Sequence, residues 1–176
     1  MLSILQLIVD AIATVLGGVL LLRFWMQAIR VRPPASVAQF TFTLSDWLVR
    51  PLRRLVPGVG GYDWASLICA FLVVFLATSV LFLSGVPGVT VFLTALYRFL
   101  NWILYGFMAL LVVEAIFSWV NPHAPLAPLV RALNDPLLRP LRRVVPLLGG
   151  LDLSLLVALI LLQIAQLLLG MAFGFR

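Results

Sequence analysis

Asp46–Asp63, DWLVRPLRRLVPGVGGYD, returns 89 residues later as Asp135–Asp152, DPLLRPLRRVVPLLGGLD, without a gap and with 12 identities in 18 positions. Such a match marks an internal duplication, and it divides the chain into one unit over residues 1–88 and a second over 89–176. Outward from each motif copy the sequence turns strongly apolar on both sides. A helix needs about 20 mostly apolar residues to cross the hydrocarbon core of a bilayer, and four segments meet that requirement: Ile4–Ala28, Trp64–Leu83, Phe99–Val120 and Leu153–Phe173. Each unit therefore holds two crossings with the Arg-rich motif between them. Because two is an even number, both copies enter the membrane in the same orientation, unlike inverted repeats.

The expected fold is an all-α membrane protein of four transmembrane helices, built from two parallel helix-loop-helix repeats. Ahead of each motif an apolar stripe repeats as well, Val37, Phe40, Leu44 and Leu48 falling on Leu126, Leu129, Leu133 and Leu137. That spacing predicts amphipathic segments in the loops, lying in the interface or capping the bundle. In the motif itself, Pro51 and Pro140 disfavour helix at the preceding arginine while Pro57 and Pro146 punctuate the far end, so a short helical turn between two prolines is expected. Ser84–Gly88, SGVPG, reads as the turn between the second and third crossings. Thr90–Arg98 is either an interfacial approach or an extension of a tilted third helix.

Composition agrees with a bilayer location. Of 176 residues, 64% are hydrophobic and 10% charged, and the mean hydropathy is +1.18, whereas a soluble domain is apolar over about half its residues. The net charge of +6 comes from 12 arginines and no lysine against 6 acids. Exclusive use of arginine fits either codon bias in a GC-rich genome or the better grip of a planar guanidinium on phosphate. Nine of the arginines fall in the two loops, and the positive-inside rule assigns them to the cytoplasm. Both termini and the SGVPG turn are then expected on the periplasmic side of a bacterial inner membrane. The first apolar run is expected to remain in the mature protein, since no arginine precedes it and Asp10 interrupts it.

The segments LLLRFWMQ (Leu20–Gln27), RPLRRLVPGVGGYDWAS (Arg50–Ser66) and DPLLRPLRRVVPLLGGLDLS (Asp135–Ser154) resemble the YggT/YlmG family of small integral membrane proteins, and the resemblance runs from end to end. One departure is Asn121-Pro122-His123, where the first copy has Arg32-Pro33-Pro34. The resemblance implies roles as diverse as osmotic stress tolerance in bacteria, cell division in Gram-positive relatives, and cytochrome b6 maturation and nucleoid distribution in plastid relatives. These share no obvious chemistry. They are compatible with a membrane organiser or assembly factor.

The charged residues carry what site information there is. Asp63 and Asp152 each follow Gly-Gly and precede a charge-free helix, where a carboxylate caps backbone N–H groups; alternatively each organises the neighbouring arginines into a ligand site. Arg50, Arg53 and Arg54, with Arg139, Arg142 and Arg143, serve topology and are candidates for binding anionic lipid headgroups or a protein partner. Asp46 and Arg50, like Asp135 and Arg139, stand four apart and can pair if helix reaches that far. Arg23 and Glu114 occupy matching places in the two copies at an offset of 91. Arg23 can snorkel to the interface; the sharper expectation is an intramembrane ion pair between the two, because an isolated charge inside a bilayer costs about 2.5–3.5 kcal/mol.

Other chemistry is sparse. Cys69 is the only cysteine and sits in an apolar run, and His123, the only histidine, lies in a Pro-rich loop. A metal cluster and a bis-histidine haem within one chain are thereby disfavoured, and no cofactor is expected. Expected partners are membrane lipids, anionic ones above all, together with a membrane protein or further copies of the chain. Nucleic acid is disfavoured, since the arginines lack a module with stacking aromatics. The leading functional expectation is a non-enzymatic inner-membrane protein supporting membrane-complex assembly or envelope homeostasis, including osmotic adaptation. The rival is a small homo-oligomeric channel or transporter, whose path Gln27, Glu114, Gln163 and Gln166 would line.

Overall fold

A computed structural model of the chain describes residues 2–81, 85–145 and 152–174, apart from the side chains of Leu2 and Ser3. Among the described residues six helices follow one another: α1 (Leu2–Ala28), α2 (Ala35–Leu55), α3 (Trp64–Ser79), α4 (Gly88–Val120), α5 (Ala127–Arg142) and α6 (Leu153–Phe173). By length and composition α1, α4 and α6 can cross a membrane. The apolar α3 has 16 residues, about 24 Å at 1.5 Å per residue, and gives way to 3₁₀ geometry at Val80 and Leu81. The expected second crossing is thus shorter as an α-helix than Trp64–Leu83; Phe82, Leu83 and the Ser84 end of the SGVPG turn lie outside the described residues. The third is longer than Phe99–Val120. Thr90–Arg98 belongs to the continuous 33-residue α4.

The apolar helices form a row in which α1 packs on α3, α3 on α4 and α4 on α6. Between α3 and α4 the contact is aromatic: Phe71 meets Phe99 edge-on at 5.5 Å and also touches Phe75 and Phe92. At Gly17 of α1 a side chain would collide with the ring of Trp102 from α4, so glycine permits the close approach of these two helices. The two halves are joined most specifically by Trp25, whose ring stands edge-on to Phe107 at 4.9 Å and whose indole N–H donates to the Leu133 carbonyl at 2.9 Å.

The amphipathic helices α2 and α5 pack across one end of the bundle, α2 against α1 and α3, α5 against α4 and α6. Their stripes do not behave alike. In α5 Leu129 and Leu133 are buried, Leu137 is half-buried and Leu126 exposed, whereas in α2 Val37, Leu44 and Leu48 are half-buried, Phe40 is exposed, and the smaller Thr41, Ser45 and Val49 face the bundle. Helix continues through Pro51 in α2 and through Pro136 and Pro140 in α5, correcting the expectation of a short turn confined between prolines. All three prolines lie on the exposed face, where the carbonyl freed by a missing N–H can be solvated. Ion pairs four residues apart, Asp46–Arg50 and Asp135–Arg139, each at 2.7 Å, brace the turns that lead into Pro51 and Pro140.

The α2–α3 connection reverses through Gly60 (φ 70°) and Gly61 (φ 85°), closed by Tyr62 N–H donating to the Val59 carbonyl at 3.3 Å. Two consecutive positive φ values are the signature of a tight primed turn, which glycine adopts without steric cost. Their counterparts Gly149 and Gly150, with Pro146, lie outside the described residues.

Candidate functional site

Where α2 and α5 meet the ends of the apolar helices, two polar clusters form, one per half. In the first, Arg23 of α1 is buried, with 5% of its side chain exposed. Its Nη1 donates to Ser45 Oγ at 2.6 Å and Asp46 Oδ1 at 2.7 Å. Its Nε lies 3.4 Å from Asp63 Oδ2, an ionic contact not aligned for a hydrogen bond. The Phe42 ring covers the guanidinium, 4.8 Å from its centroid. Asp63, 1% exposed, accepts from Ser66 N–H at 3.3 Å and Ser66 Oγ at 2.6 Å, which caps α3. It also receives the Arg53 fork, Nε at 3.2 Å and Nη2 on the second oxygen, while Arg53 Nη2 reaches Gln27 Oε1 at 3.4 Å.

The second cluster has the same frame with one sign inverted. Glu114 of α4, also 5% exposed, accepts from Arg142 Nη2 at 3.0 Å and from Asn134 Nδ2 at 2.8 Å. Asn134 stands 89 residues after Ser45, the same offset that separates the two Arg-rich motifs. Arg142 Nε donates to Asp152 Oδ2 at 2.8 Å, and Asp152 caps α6 by accepting from Ser154 N–H at 3.0 Å. In both halves, then, a charge on the apolar helix touches the amphipathic helix and is linked through a guanidinium to the carboxylate that starts the next apolar helix.

Arg23 and Glu114 do not meet, which corrects the expected ion pair between them. Each is satisfied inside its own half, because the residue 22 or 20 positions on and the adjacent cap carboxylate or loop arginine are nearer. Four of the six proposed headgroup-binding arginines are likewise engaged internally: Arg50 with Asp46, Arg139 with Asp135, Arg53 with Asp63, and Arg142 with Glu114 and Asp152. Arg54 and Arg143 have no acidic partner among the described residues. Beside the second cluster, Arg131 and Arg142 line an open hollow of ≈ 340 Å³ with Asp135, Ile29, Val31 and Pro136.

A further polar contact lies toward the other end of the bundle. Arg98 of α4 pairs with Asp10 of α1 and donates to Thr78 Oγ1 of α3 at 3.3 Å. Sequence reasoning misses this three-helix junction, although two opposite charges in apolar runs remote from the Arg-rich loops are a usable signal.

Electrostatics outside the apolar helices follow this pairing. The hydrogen bond from Arg23 lowers the Asp46 carboxyl against the opposing effect of burial. At Asp63 burial raises the carboxyl, but the bonds from Arg53 and Ser66 outweigh it and leave the group below the usual range. Asp152 shows the same balance, burial opposed by Arg142 and Ser154. Carboxylates held low contribute stability that is present above their ordinary value, about 3.9, and lost as pH falls through the depressed one. The thermal midpoint of the detergent-solubilised protein should therefore change little from pH 8 to 5 and drop below about pH 4. A midpoint that instead rose on acidification would contradict these pairings.

Among the described residues there is no group of three or more His, Cys, Asp or Glu side chains that could hold a metal. The arrangement is one of internal clamps and helix caps, and among the described residues Arg30, Arg32, Arg54, Arg131 and Arg143 have no acidic partner.

A family model described as CCB3/YggT matches residues 1–84 and 93–173. The chain is 34% identical to the Escherichia coli protein YggT over 154 residues, 83% of this chain and 78% of that one. It is 37% identical to an uncharacterized Pseudomonas aeruginosa protein over 157 residues (85% and 80% of the two chains), and 34% identical to an uncharacterized Vibrio alginolyticus protein over 165 residues (89% and 88%). No solved structure matches. With the family model covering nearly the whole chain and these relatives above 30% identity, the chain belongs to the CCB3/YggT family.

Proposed function

We propose that the chain is a multi-pass protein of the bacterial inner membrane that supports membrane-complex assembly or envelope homeostasis, including osmotic adaptation, without catalysing a reaction itself. In this reading α1, α3, α4 and α6 all cross the bilayer, residues 1–88 and 89–176 are two copies of one unit, and α2 and α5 lie at the cytoplasmic face. Both termini are periplasmic.

The observation that carries the proposal is where the polar side chains go. Glu114 and Gln27, two of the four residues that would line a conducting path, are tied to Arg142 and Arg53 at the helix ends, while Gln163 and Gln166 stand apart on α6. Polar groups used in this way join helices to one another; a pore needs them to converge on a shared hydrated route. The positive charge left unpaired among the described residues, which includes Arg54, Arg131 and Arg143 as well as Arg30 and Arg32, suits anionic headgroups at the cytoplasmic face, each basic side chain there contributing about 1 kcal/mol.

Purification from native membranes in a mild, lipid-retaining detergent tests this reading. A stoichiometric membrane-protein partner is expected, together with anionic lipid that is lost when Arg54, Arg131 and Arg143 are replaced by glutamine. Proteoliposomes of the purified chain should release ions and small solutes no faster than empty vesicles after an osmotic step. Rapid release by the chain alone would favour the channel and overturn the assembly role.

A further inference from the structure

Gln163 is the eleventh of the 21 residues of α6, with ten on either side, so at 1.5 Å per residue it lies about 15 Å from each end. In a hydrocarbon core about 30 Å thick that is the midplane. Its side chain is exposed on the outside of the bundle, and it makes no hydrogen bond within the chain among the described residues. One turn on, Gln166 has a buried Nε2 that also lacks a partner. An amide facing lipid tails has neither water nor protein to bond with, and leaving its groups unsatisfied costs free energy.

The surroundings of Gln163 form a seam. Leu156, Ile160, Gln163 and Leu167 are all exposed and follow one another at intervals of four, three and four residues. This is the spacing by which one helix inserts side chains between those of another, with a single polar residue fixing register. Helix α6 stands at the end of the row, packed on α4 and α5, and carries no charged residue that would repel a copy of itself. The exposed side of α1 presents Leu5, Ile8, Ile12 and Val15, a surface suited to lipid.

From the midplane amide within this seam we infer that the chain forms a symmetric homodimer through α6, with the Gln163 amides of the two copies hydrogen-bonded across the two-fold axis. The amide is self-complementary. It carries both donors and an acceptor, so two copies related by a two-fold satisfy each other, as a symmetric interface requires of any residue on its axis. The inference does not depend on the assembly role, since it concerns a face remote from the arginine clusters.

Two measurements on the full chain in lipid test it. In a Cys69→Ala background, oxidation of native membranes should cross-link Ile160→Cys or Leu167→Cys into dimers and spare Leu161→Cys and Leu168→Cys, which are exposed but off the seam. Energy transfer between labelled copies in liposomes, read as a function of protein-to-lipid ratio, should show Gln163→Leu dissociating about threefold to thirtyfold more readily than wild type, the range an interhelical hydrogen bond in a membrane supplies. Gln163→Leu preserves the apolar seam and leaves the clamps untouched, so the loss would report the amide. Equal association of wild type and variant, cross-linking at all four positions alike, or a band between α6 and a different protein in place of the dimer would each overturn the inference.

Discussion

Replacing Asp63 with leucine is expected to destabilise the detergent-solubilised protein by about 3–5 kcal/mol, the range for removing one partner of a buried ionic group. The substitution does three things at once. It removes the cap of α3, strips Arg53 of both its carboxylate contacts, and leaves the buried Arg23 dependent on Asp46. Loss of the cap alone accounts for about 1 kcal/mol; most of the effect comes from guanidinium charge left without an adequate counter-charge. Asp152→Leu makes the matching change in the second half, but that carboxylate is 25% exposed against 1% for Asp63, so water compensates more of the loss. Denaturation should therefore show a clearly smaller destabilisation for Asp152→Leu. Equal losses at the two positions would mean that the difference in burial has no energetic weight.

The second large effect is predicted at Arg23 and Glu114, both 5% exposed. Arg23→Leu and Glu114→Leu should each cost several kcal/mol, again on the order of 3–5. The informative quantity is the coupling. A double-mutant cycle between Arg23 and Asp63, and another between Glu114 and Arg142, should give interaction energies above about 1 kcal/mol, because the partners touch. The cycle between Arg23 and Glu114 should be additive to within about 0.5 kcal/mol, as for distant sites. A large Arg23–Glu114 coupling would restore the direct pair that matching sequence positions suggest.

Much of this architecture is legible in the sequence. The apolar runs end where the helices end at Ala28, Val120 and Phe173, since helix length and hydrophobicity there answer to one constraint. Asp63 and Asp152 are readable as caps because a carboxylate after Gly-Gly and before an apolar helix has an obvious local use. The i, i+4 pairs depend on helix reaching Arg50 and Arg139, and it does. What sequence could not supply was partner choice across helices. Arg23 and Glu114 align at an offset of 91, yet alignment of two similar segments says only that two residues hold matching sequence positions, not that they face each other. The Asp10–Arg98 contact, 88 residues apart, requires knowing that α1 and α4 approach closely, which Gly17 beneath Trp102 permits. Phe40 of α2 departs from the paired stripe for a similar reason: the bundle accepts the small side chains Thr41, Ser45 and Val49 there and leaves that ring outside.

In the proposed topology α3 makes the fourth crossing, which alone puts both Arg-rich loops on one face. Its 16 helical residues make it the shortest of the apolar helices, and the topology turns on it. Single cysteines at Gly88 and Arg54 in a Cys69→Ala background, treated with a membrane-impermeant maleimide on intact spheroplasts, decide the matter. With four crossings, position 88 reacts from outside while position 54 reacts only after permeabilisation. Equal behaviour at the two positions would show that α3 does not cross, and the reverse pattern would invert the orientation.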